Sequence, residues 1–259
     1  MYENKTPNIV DIQFHSGLSN LSHFHQEIEL IYVQEGILRL RVMERQYQLA
    51  REDVCVINSN EEHGYDSSGE TISVHVFIRY PLIQSVYNSV TSFFLCNSAS
   101  EDNGQYEELR YLVSQLIKQK LLCEKEPEDH SGGFDLLAAF YKLLAYLTSH
   151  FIVQMKTDIG MTMQQKYQLR TMQINEYIMN NFRQPISLKT LSENLYLSEG
   201  YLSRYFRTHY HMSFTVYLRQ VRLANAKNDL MFTDKPVLEI ALDNGFSSSS
   251  FFNRVFKKE

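Results

Sequence analysis

Cysteine is scarce in this sequence, and so are the motifs of several large enzyme classes. The chain of 259 residues has three cysteines, Cys55, Cys96 and Cys123, and they lie far apart. Disulfide scaffolds and zinc knuckles need more cysteines at closer spacing, so both are excluded, and this usage fits a reducing cytoplasm. We also find no phosphate-binding glycine loop, no nucleophile elbow and no zinc-protease motif. We therefore assign no catalytic residue and do not expect an enzyme.

Uninterrupted hydrophobic runs are lacking as well. The most apolar long stretch, residues 133–153, contains Asp135, Lys142 and His150, which argues against a membrane span. The first ten residues show no basic flank before an apolar core, so we expect no secretory signal. Hydrophobic residues make up 44% of the chain and charged residues 21%, which excludes wholesale disorder. We expect a cytoplasmic protein without a membrane partner, of a length that suits two domains.

Charge is unevenly distributed along the chain. The formal net charge is −5, but residues 1–167 carry 13 basic and 22 acidic side chains, whereas residues 168–259 carry 12 and 8. The second part is therefore basic and the first part acidic. This asymmetry indicates that only the second part approaches a polyanion such as nucleic acid.

Short strands are predicted in the first eighty residues. Gln34, Glu35 and Gly36 predict a hairpin turn, and residues 58–69 predict a longer polar loop. Antiparallel strands without intervening helices indicate a small barrel or sandwich. The predicted strands are rich in β-branched or aromatic residues and cover residues 27–33, 37–44, 53–57 and 72–79.

Two amphipathic helices are predicted after the strands. Residues 105–123 and 133–155 each place apolar side chains on one helical face. These helices could pack on the barrel, on each other or on a second subunit. Residues 156–167 lack a clear pattern and form the predicted linker, so that residues 1–155 and 168–259 are the two predicted domains.

A first helix-turn-helix unit is predicted between residues 185 and 209. Ser187 can cap a helix that runs to Leu195, and Ser198 can cap a second helix over residues 199–209. Tyr196 occupies the turn between the two helices, a position where glycine causes less backbone strain. Two short helices about a tight turn are the architecture that places a recognition helix in the major groove of DNA.

A second unit repeats this pattern further along the chain. One helix is predicted over residues 236–245, with Gly245 in the left-handed conformation at the turn, and another over residues 248–258 after the cap Ser247. A helix over residues 213–230 joins the two units.

The two predicted recognition helices share a pattern of side chains. The strings YLSRYFR and FFNRVFK, at residues 201–207 and 251–257, predict that Phe206 and Phe256 point inward, with Arg204 and Arg254 outward. Two such helices can enter successive major grooves, roughly 34 Å apart on one face of the duplex.

The strings LSENLYLSEGYLSRYFR and VLEIALDNGFSSSSFFNRVFKK resemble the DNA-binding domain of AraC/XylS-family transcriptional regulators. The resemblance covers nearly all of residues 168–259. Family domains continue into a final short helix, so this domain is expected to be truncated at Glu259. The resemblance implies sequence-specific binding to double-stranded DNA, a homodimer, contact with RNA polymerase and, in most members, activation of transcription.

By this resemblance, the outward residues of each recognition helix contact DNA. Arg204 suits guanine and Asn253 suits adenine, whereas Arg207 and Lys257 are expected to position the phosphate backbone. Each arginine could instead be a solvated surface charge, and the serine run 247–250 could be only a helix start. The full predicted set is Gly200, Tyr201, Ser203, Arg204, Arg207, Ser248, Ser249, Ser250, Asn253, Arg254 and Lys257.

A group of potential metal ligands occurs in the strand-rich part. His23 and His25 alternate along an extended segment and point to one side, and Glu29 follows four residues later. His63, in the loop predicted after the third strand, is a fourth candidate. Two or three histidines with a carboxylate suit a divalent iron, manganese or zinc ion.

The spacing of Gly17, His23, His25, Glu29 and Gly36 resembles the first cupin motif in full. The second cupin motif is degraded, since the string INSNEEH has asparagines where proline and glycine are expected. The resemblance implies a cupin barrel. Metal binding, effector binding and purely structural histidines all stay open as interpretations.

An effector-binding barrel would have a polar wall, which favours a hydroxylated or anionic ligand such as a sugar. His15 and His75 are interpreted as structural. The predicted wall consists of His23, His25, Glu29, Tyr32, Arg39 and His63.

The leading hypothesis is an α+β protein of two domains that regulates transcription in response to a small-molecule effector. It comprises a cupin-like β-barrel with two following amphipathic helices, then an all-α domain of two helix-turn-helix units. The alternative is a cupin metalloenzyme, a dioxygenase or an isomerase, with an accessory helical domain. The two helix-turn-helix units have no role in that alternative.

Overall fold

The computed structural model describes residues 10–25, 27–43, 45–79, 82–83, 92–101, 103–125, 130–154 and 163–257. By its internal contacts the chain divides into two compact units, Met1–Lys156 and Thr157–Glu259. Among the described helices, none combines the length and the apolar character that a bilayer crossing needs.

The first unit is built on two four-stranded antiparallel sheets that pack face to face. Its described strands are β1 (Asp11–Ser16), β2 (Ser19–His23), β3 (Ile28–Glu35), β4 (Leu38–Val42), β5 (Arg45–Leu49), β6 (Val54–Ile57), β7 (His63–Ser67), β8 (Ile72–Ile78), β9 (Ser92–Phe94) and β10 (Ile152–Gln154). One sheet has the order β1-β8-β3-β6 and the other has the order β2-β7-β4-β5. The predicted barrel is thereby confirmed.

Six of these strands were not predicted, namely β1, β2, β5, β7, β9 and β10. β2, β5 and β7 are polar, and β7 lies inside the segment predicted as a loop. β7 is nevertheless held extended by hydrogen-bonded pairing with β2 on one side and β4 on the other. Pairing partners from distant parts of the chain override the weak local preference.

The side-chain alternation of β3 separates two hydrophobic layers. Leu30 belongs to a core that the first sheet shares with α1 (Gly104–Lys125) and α2 (His130–His150). Ile31 and Val33 belong to a second core between the two sheets. Both predicted amphipathic helices are confirmed, and both use their apolar faces to cover the first sheet.

The second of these helices is shorter than predicted. α2 ends at His150, and the following residues pair with β9 as the antiparallel strand β10. Phe151 is 4% exposed, and its burial at this corner marks the change from helix to strand.

The second unit is helical throughout its described part. It contains α3 (Met163–Asn181), α4 (Leu188–Asn194), α5 (Glu199–His209), α6 (Phe214–Phe232), α7 (Val237–Asp243) and α8 (Ser249–Phe256). Because α3 begins at Met163, the last five residues of the predicted linker are helical. Residues 156–162 of that linker lie outside the described residues.

The helix starts follow the predicted capping residues closely. Ser187 and Thr190 form a reciprocal capping box at α4, and the Ser198 hydroxyl accepts a hydrogen bond from the Tyr201 amide at α5. At α8 the prediction was wrong by one residue. Ser248, and not Ser247, accepts the hydrogen bond from the Phe251 amide.

Candidate nucleic-acid interface and histidine cluster

The first recognition helix, α5, has a buried face and an exposed face. Leu202, Tyr205 and Phe206 are buried, while Arg204 and Arg207 are exposed on the other side. The pattern arises because apolar side chains recur at helical spacing. The predicted inward position of Phe206 and outward position of Arg204 are confirmed.

Buried hydrogen bonds fix this helix and the residues after it against α3. The Tyr205 hydroxyl donates to Thr171 Oγ1 at 2.7 Å, and the Tyr210 and Tyr217 hydroxyls both donate to Asn175 Oδ1 at 3.1 Å. Burial raises the pKa of Tyr217. Since a buried polar group without a partner is destabilising, these bonds select one position of α5 on α3.

The second recognition helix, α8, shows the same division less completely. Phe252 is buried and Arg254 is exposed, with its guanidinium carbon 5.2 Å from the centre of the Phe251 ring. The prediction that Phe256 points inward was wrong, because Phe256 is 39% exposed. Its counterpart Phe206 is covered by aromatic rings of α6, the helix that follows it.

The predicted DNA-contacting residues lie on exposed parts of these two helices. Ser203 and Ser249 are half-buried, and the hydroxyl of Ser248 is engaged in capping α8. The exposed members of the predicted set are Gly200, Tyr201, Arg204, Arg207, Ser248, Ser250, Asn253, Arg254 and Lys257. Their chemistry matches what base edges and phosphates bind.

The turns of the two units have the same backbone conformation but different surroundings. Tyr196 has a φ of 53° and its side chain is 96% exposed, so the strain is local. Gly245 has a φ of 78°, and a Cβ atom there would lie 2.9 Å from the carbonyl oxygens of Phe182 and Arg183. The second turn is therefore packed against the end of α3, where only glycine fits.

The histidines of the first unit form a compact cluster between the two sheets. His23, His25 and His63 each offer one ring nitrogen, and these atoms lie within 4.8 Å of one another. His63 is at the start of β7 and not in a loop, and pairs with His23 across β2. This pairing explains why residues forty positions apart in sequence meet.

Glu29 lies at the centre of this cluster on the inner face of β3. Its Oε1 is 2.5 Å from His75 Nδ1, and its Oε2 accepts a hydrogen bond of 2.5 Å from the Tyr65 hydroxyl. The Nε2 atoms of His25 and His63 are both 3.1 Å from Oε2.

Hydrogen bonding determines the charge of this carboxylate. Burial alone would raise the pKa of Glu29, but hydrogen bonds from His25, His63 and His75 outweigh burial and hold the pKa well below its ordinary value. Burial lowers the pKa of His25, yet the bond to Glu29 and its charge raise it overall. The site is therefore an ionised carboxylate surrounded by imidazoles.

Two residues of the predicted effector wall do not belong to the cluster. Tyr32 lies three positions after Glu29 on one strand, so it faces the helices and packs on their core. Arg39 is exposed and its Nη1 is 3.3 Å from Asp66 Oδ2, on the outer face of its sheet. For both residues the prediction of an inward position was wrong.

Sequence reasoning also missed two members of the cluster. His75 was interpreted as structural, yet its ring contacts Glu29 directly, and Tyr65 lies in a segment predicted as a loop. The alternation of polar and apolar residues in β8 could have indicated that His75 belongs to the cluster. Tyr65 could not be assigned to the cluster without knowing how β7 pairs.

Comparison with known proteins separates the chain into the same two parts. Residues 11–79 match the cupin domain family and residues 191–259 match the helix-turn-helix domain family. The HTH-type transcriptional activator RhaS of Mannheimia succiniciproducens is 24% identical over 237 residues, which is 92% of this chain and 85% of RhaS. The chain has an AraC-type helix-turn-helix domain and a cupin domain, and it is homologous to the activator RhaS.

Further relatives of this regulator differ in how much of the chain they share. An uncharacterized HTH-type transcriptional regulator of Staphylococcus aureus is 41% identical over 85 residues, which is 33% of this chain but 11% of that protein. ToxT of Vibrio cholerae, a solved structure, is 15% identical, with a TM-score of 0.46, over 96% of this chain and 92% of ToxT. The C-terminal domain of a response regulator from Fusobacterium nucleatum is 36% identical, with a TM-score of 0.33, over 34% of this chain and 95% of that domain.

The packing of Gly245 generates a prediction about the stability of the regulator's second unit. Replacing Gly245 with alanine should lower the free energy of unfolding by at least about 1 kcal/mol, because alanine disfavours positive φ and its methyl group meets the end of α3. Thermal unfolding followed by circular dichroism measures the effect.

Gly200→Ala is the matched control, since a Cβ atom at this helical position meets open space. The Gly200→Ala substitution should leave the free energy of unfolding unchanged or raise it slightly. Equal melting temperatures for Gly245→Ala and the unmodified chain would contradict the packing described for the second turn.

Proposed function

We propose that this regulator reads double-stranded DNA with α5 and α8 and that a group bound at the histidine cluster controls this reading. The observation that carries the proposal is the exposed polar face of both helices, from which Arg204 and Arg254 project. The surrounding residues 168–259 have an excess of four basic side chains, which favours a polyanionic partner.

Its relatives of known role support the direction of regulation. RhaS is named a transcriptional activator, and we extend activation of transcription to the present chain. RNA polymerase is then its partner at the promoter, and the cytoplasm is its location. The relatives matched over most of this chain are regulators, so we assign the cluster a sensing role and not a catalytic one.

DNA recognition generates a prediction for Arg204. Replacing it with alanine should cost roughly 1–3 kcal/mol at the cognate site and relax the preference at one base pair, because a bidentate contact to guanine is lost. Binding to a panel of single-base variants of the site, measured by fluorescence anisotropy at several salt concentrations, tests this.

Arg207→Ala is the matched control on the same helix, since Arg207 is exposed and expected to contact phosphate. It should weaken binding uniformly across the panel and reduce the salt dependence of binding. If Arg204→Ala behaves in the same way as Arg207→Ala, Arg204 does not read a base.

The exposed face of α2 supports the proposal of a homodimer. Phe134, Ala138, Tyr141 and Ala145 are exposed and recur at the spacing of one helical stripe. Phe134 is 76% and Tyr141 46% exposed, although both rings are large and apolar. A second copy of this chain would bury the stripe and place four recognition helices on two half-sites.

The dimer proposal predicts a change in molecular mass for a charged variant. Phe134→Glu should shift the chain from dimer to monomer, because two carboxylates would be buried at a two-fold interface. Sedimentation equilibrium measures the mass. Lys142→Glu, which alters an exposed neighbour outside the stripe, should stay dimeric; a monomeric unmodified chain would refute the proposal.

A divalent cation is the best supported occupant of the histidine cluster. Nδ1 of His25 is 3.1 Å from the Glu27 carbonyl oxygen, and Nδ1 of His63 is 2.7 Å from that of Glu61. Both Nδ1 atoms must therefore carry hydrogen, which directs the Nε2 atoms to the cluster. Backbone carbonyls orient metal-binding histidines in this manner.

The Nε2 atoms then require a positive charge beside them. Each is 3.1 Å from the ionised Glu29 carboxylate, and two acceptors at that distance repel unless a proton or a metal ion intervenes. The side chains of His63 and Glu29 are both almost fully buried at this contact. We propose that His23, His25 and His63, with Glu29 beside them, hold zinc, iron or manganese. The same side chains would contact a hydroxylated effector such as a sugar.

Metal binding is predicted to depend on His63. Purified protein should contain about one divalent ion per chain, and His63→Gln should lose it because one of three ligands is removed. Elemental analysis and calorimetric titration of chelator-treated protein with Zn²⁺ and Mn²⁺ measure both. His150→Gln, at the exposed end of α2, is the control. If the titration of unmodified protein shows no heat of binding and elemental analysis finds no stoichiometric metal, the metal proposal is wrong. Protons would then balance the charge of Glu29.

A further inference from the structure

The outer face of the second sheet contains a polar hollow of about 650 Å³. Small-molecule sites have volumes of roughly 300–1,000 Å³, so the hollow is of a suitable size. It is separate from the histidine cluster, which lies on the inner side of the same sheet. Its lining consists of Ser19, Asn20, Arg39, Leu40, Arg41, Gln46, Tyr47, Gln48, Gly64, Tyr65 and Asp66.

Strand register places the polar side chains of this hollow in two rows. Arg39 pairs with Gln48 on β5 and with Asp66 on β7. Arg41, two residues further along β4, pairs with Gln46 on β5 and with Gly64 on β7. Residues paired across a sheet and two apart along a strand share one face, so both rows point to solvent.

The two arginines differ in what they contact. Arg39 has its charge balanced by Asp66, whose Oδ2 is 3.3 Å from Nη1. Arg41 is exposed, and its guanidinium makes no hydrogen bond or ion pair with any residue in the described part of the chain. Its neighbour on one side is Gly64, where the backbone of β2 packs closely: a Cβ atom there would lie 3.2 Å from the Asn20 carbonyl oxygen.

We propose that this hollow binds a small hydroxylated carboxylate of the hexuronate type. The Arg41 guanidinium lines the hollow and offers paired donors that match a carboxylate. The amides of Gln46 and Gln48 and the carboxylate of Asp66 line the remainder and supply both donors and acceptors for hydroxyl groups. The net charge of the hollow, with two arginines and one aspartate, favours an anion.

Calorimetric titration of the full chain with D-glucuronate tests the proposal, with D-glucose as the neutral analogue. We expect saturable binding of glucuronate and at least about tenfold weaker binding of glucose, since glucose lacks the charge-assisted hydrogen bonds. Arg41→Gln should lower the affinity for glucuronate by a similar factor. Gln46→Glu, which places a negative charge directly opposite Arg41, should lower it as well.

Arg51→Gln is the matched control, because Arg51 is exposed, lies outside the hollow and has the same charge. It should bind glucuronate as the unmodified chain does. No saturable binding of glucuronate, equal affinity for glucose, or unchanged affinity in both Arg41→Gln and Gln46→Glu would each overturn the proposal. An equal loss in Arg51→Gln would also overturn it, since binding would then follow overall charge.

Discussion

Three tyrosine hydroxyls that donate hydrogen bonds to side chains of α3 determine where the first recognition helix lies. Tyr205 is bonded to Thr171, and Tyr210 and Tyr217 share the amide oxygen of Asn175. The surrounding side chains are apolar and would pack in several similar ways, whereas these bonds are satisfied in one arrangement only. The predicted DNA-contacting residues of this helix are thus positioned by hydrogen bonds that are buried inside the unit.

The first unit uses the same device with a charged group at its centre. Glu29 on β3 gathers imidazoles and a phenol from the opposite sheet and from the neighbouring strand β8. A buried carboxylate is stable only when its partners are complete, so the sheets must come together in one register. In both units, buried hydrogen bonds add specificity to a core that hydrophobic packing alone would leave less defined.

The sequence predicts the helical unit better than the barrel. Helix caps such as Ser187 and Ser198 act on residues within one turn, so local patterns reveal them. Strand pairing joins distant residues, and for this reason β7 and its Tyr65 were not found. For Tyr32 the sequence does contain the information needed to predict its position. Tyr32 is an odd number of residues from Glu29 in one strand, so the two side chains lie on opposite faces.

The prediction for Phe256 failed for a related reason. The pattern shared with Phe206 is local, but burial of Phe206 depends on the rings of α6 that follow. Identical sequence patterns therefore give different burial when the neighbouring elements differ. By comparison, the exposure of the predicted DNA-contacting residues was for the most part predicted correctly, because it follows from helical periodicity alone.

The turn at Tyr196 has a consequence for observing this protein at work. Its side chain is almost wholly in solvent, and no packing depends on it, while it sits between the two helices of a DNA-reading unit. A fluorophore attached at this position would leave the interior intact and would report the arrival of a nucleic acid through a change in emission.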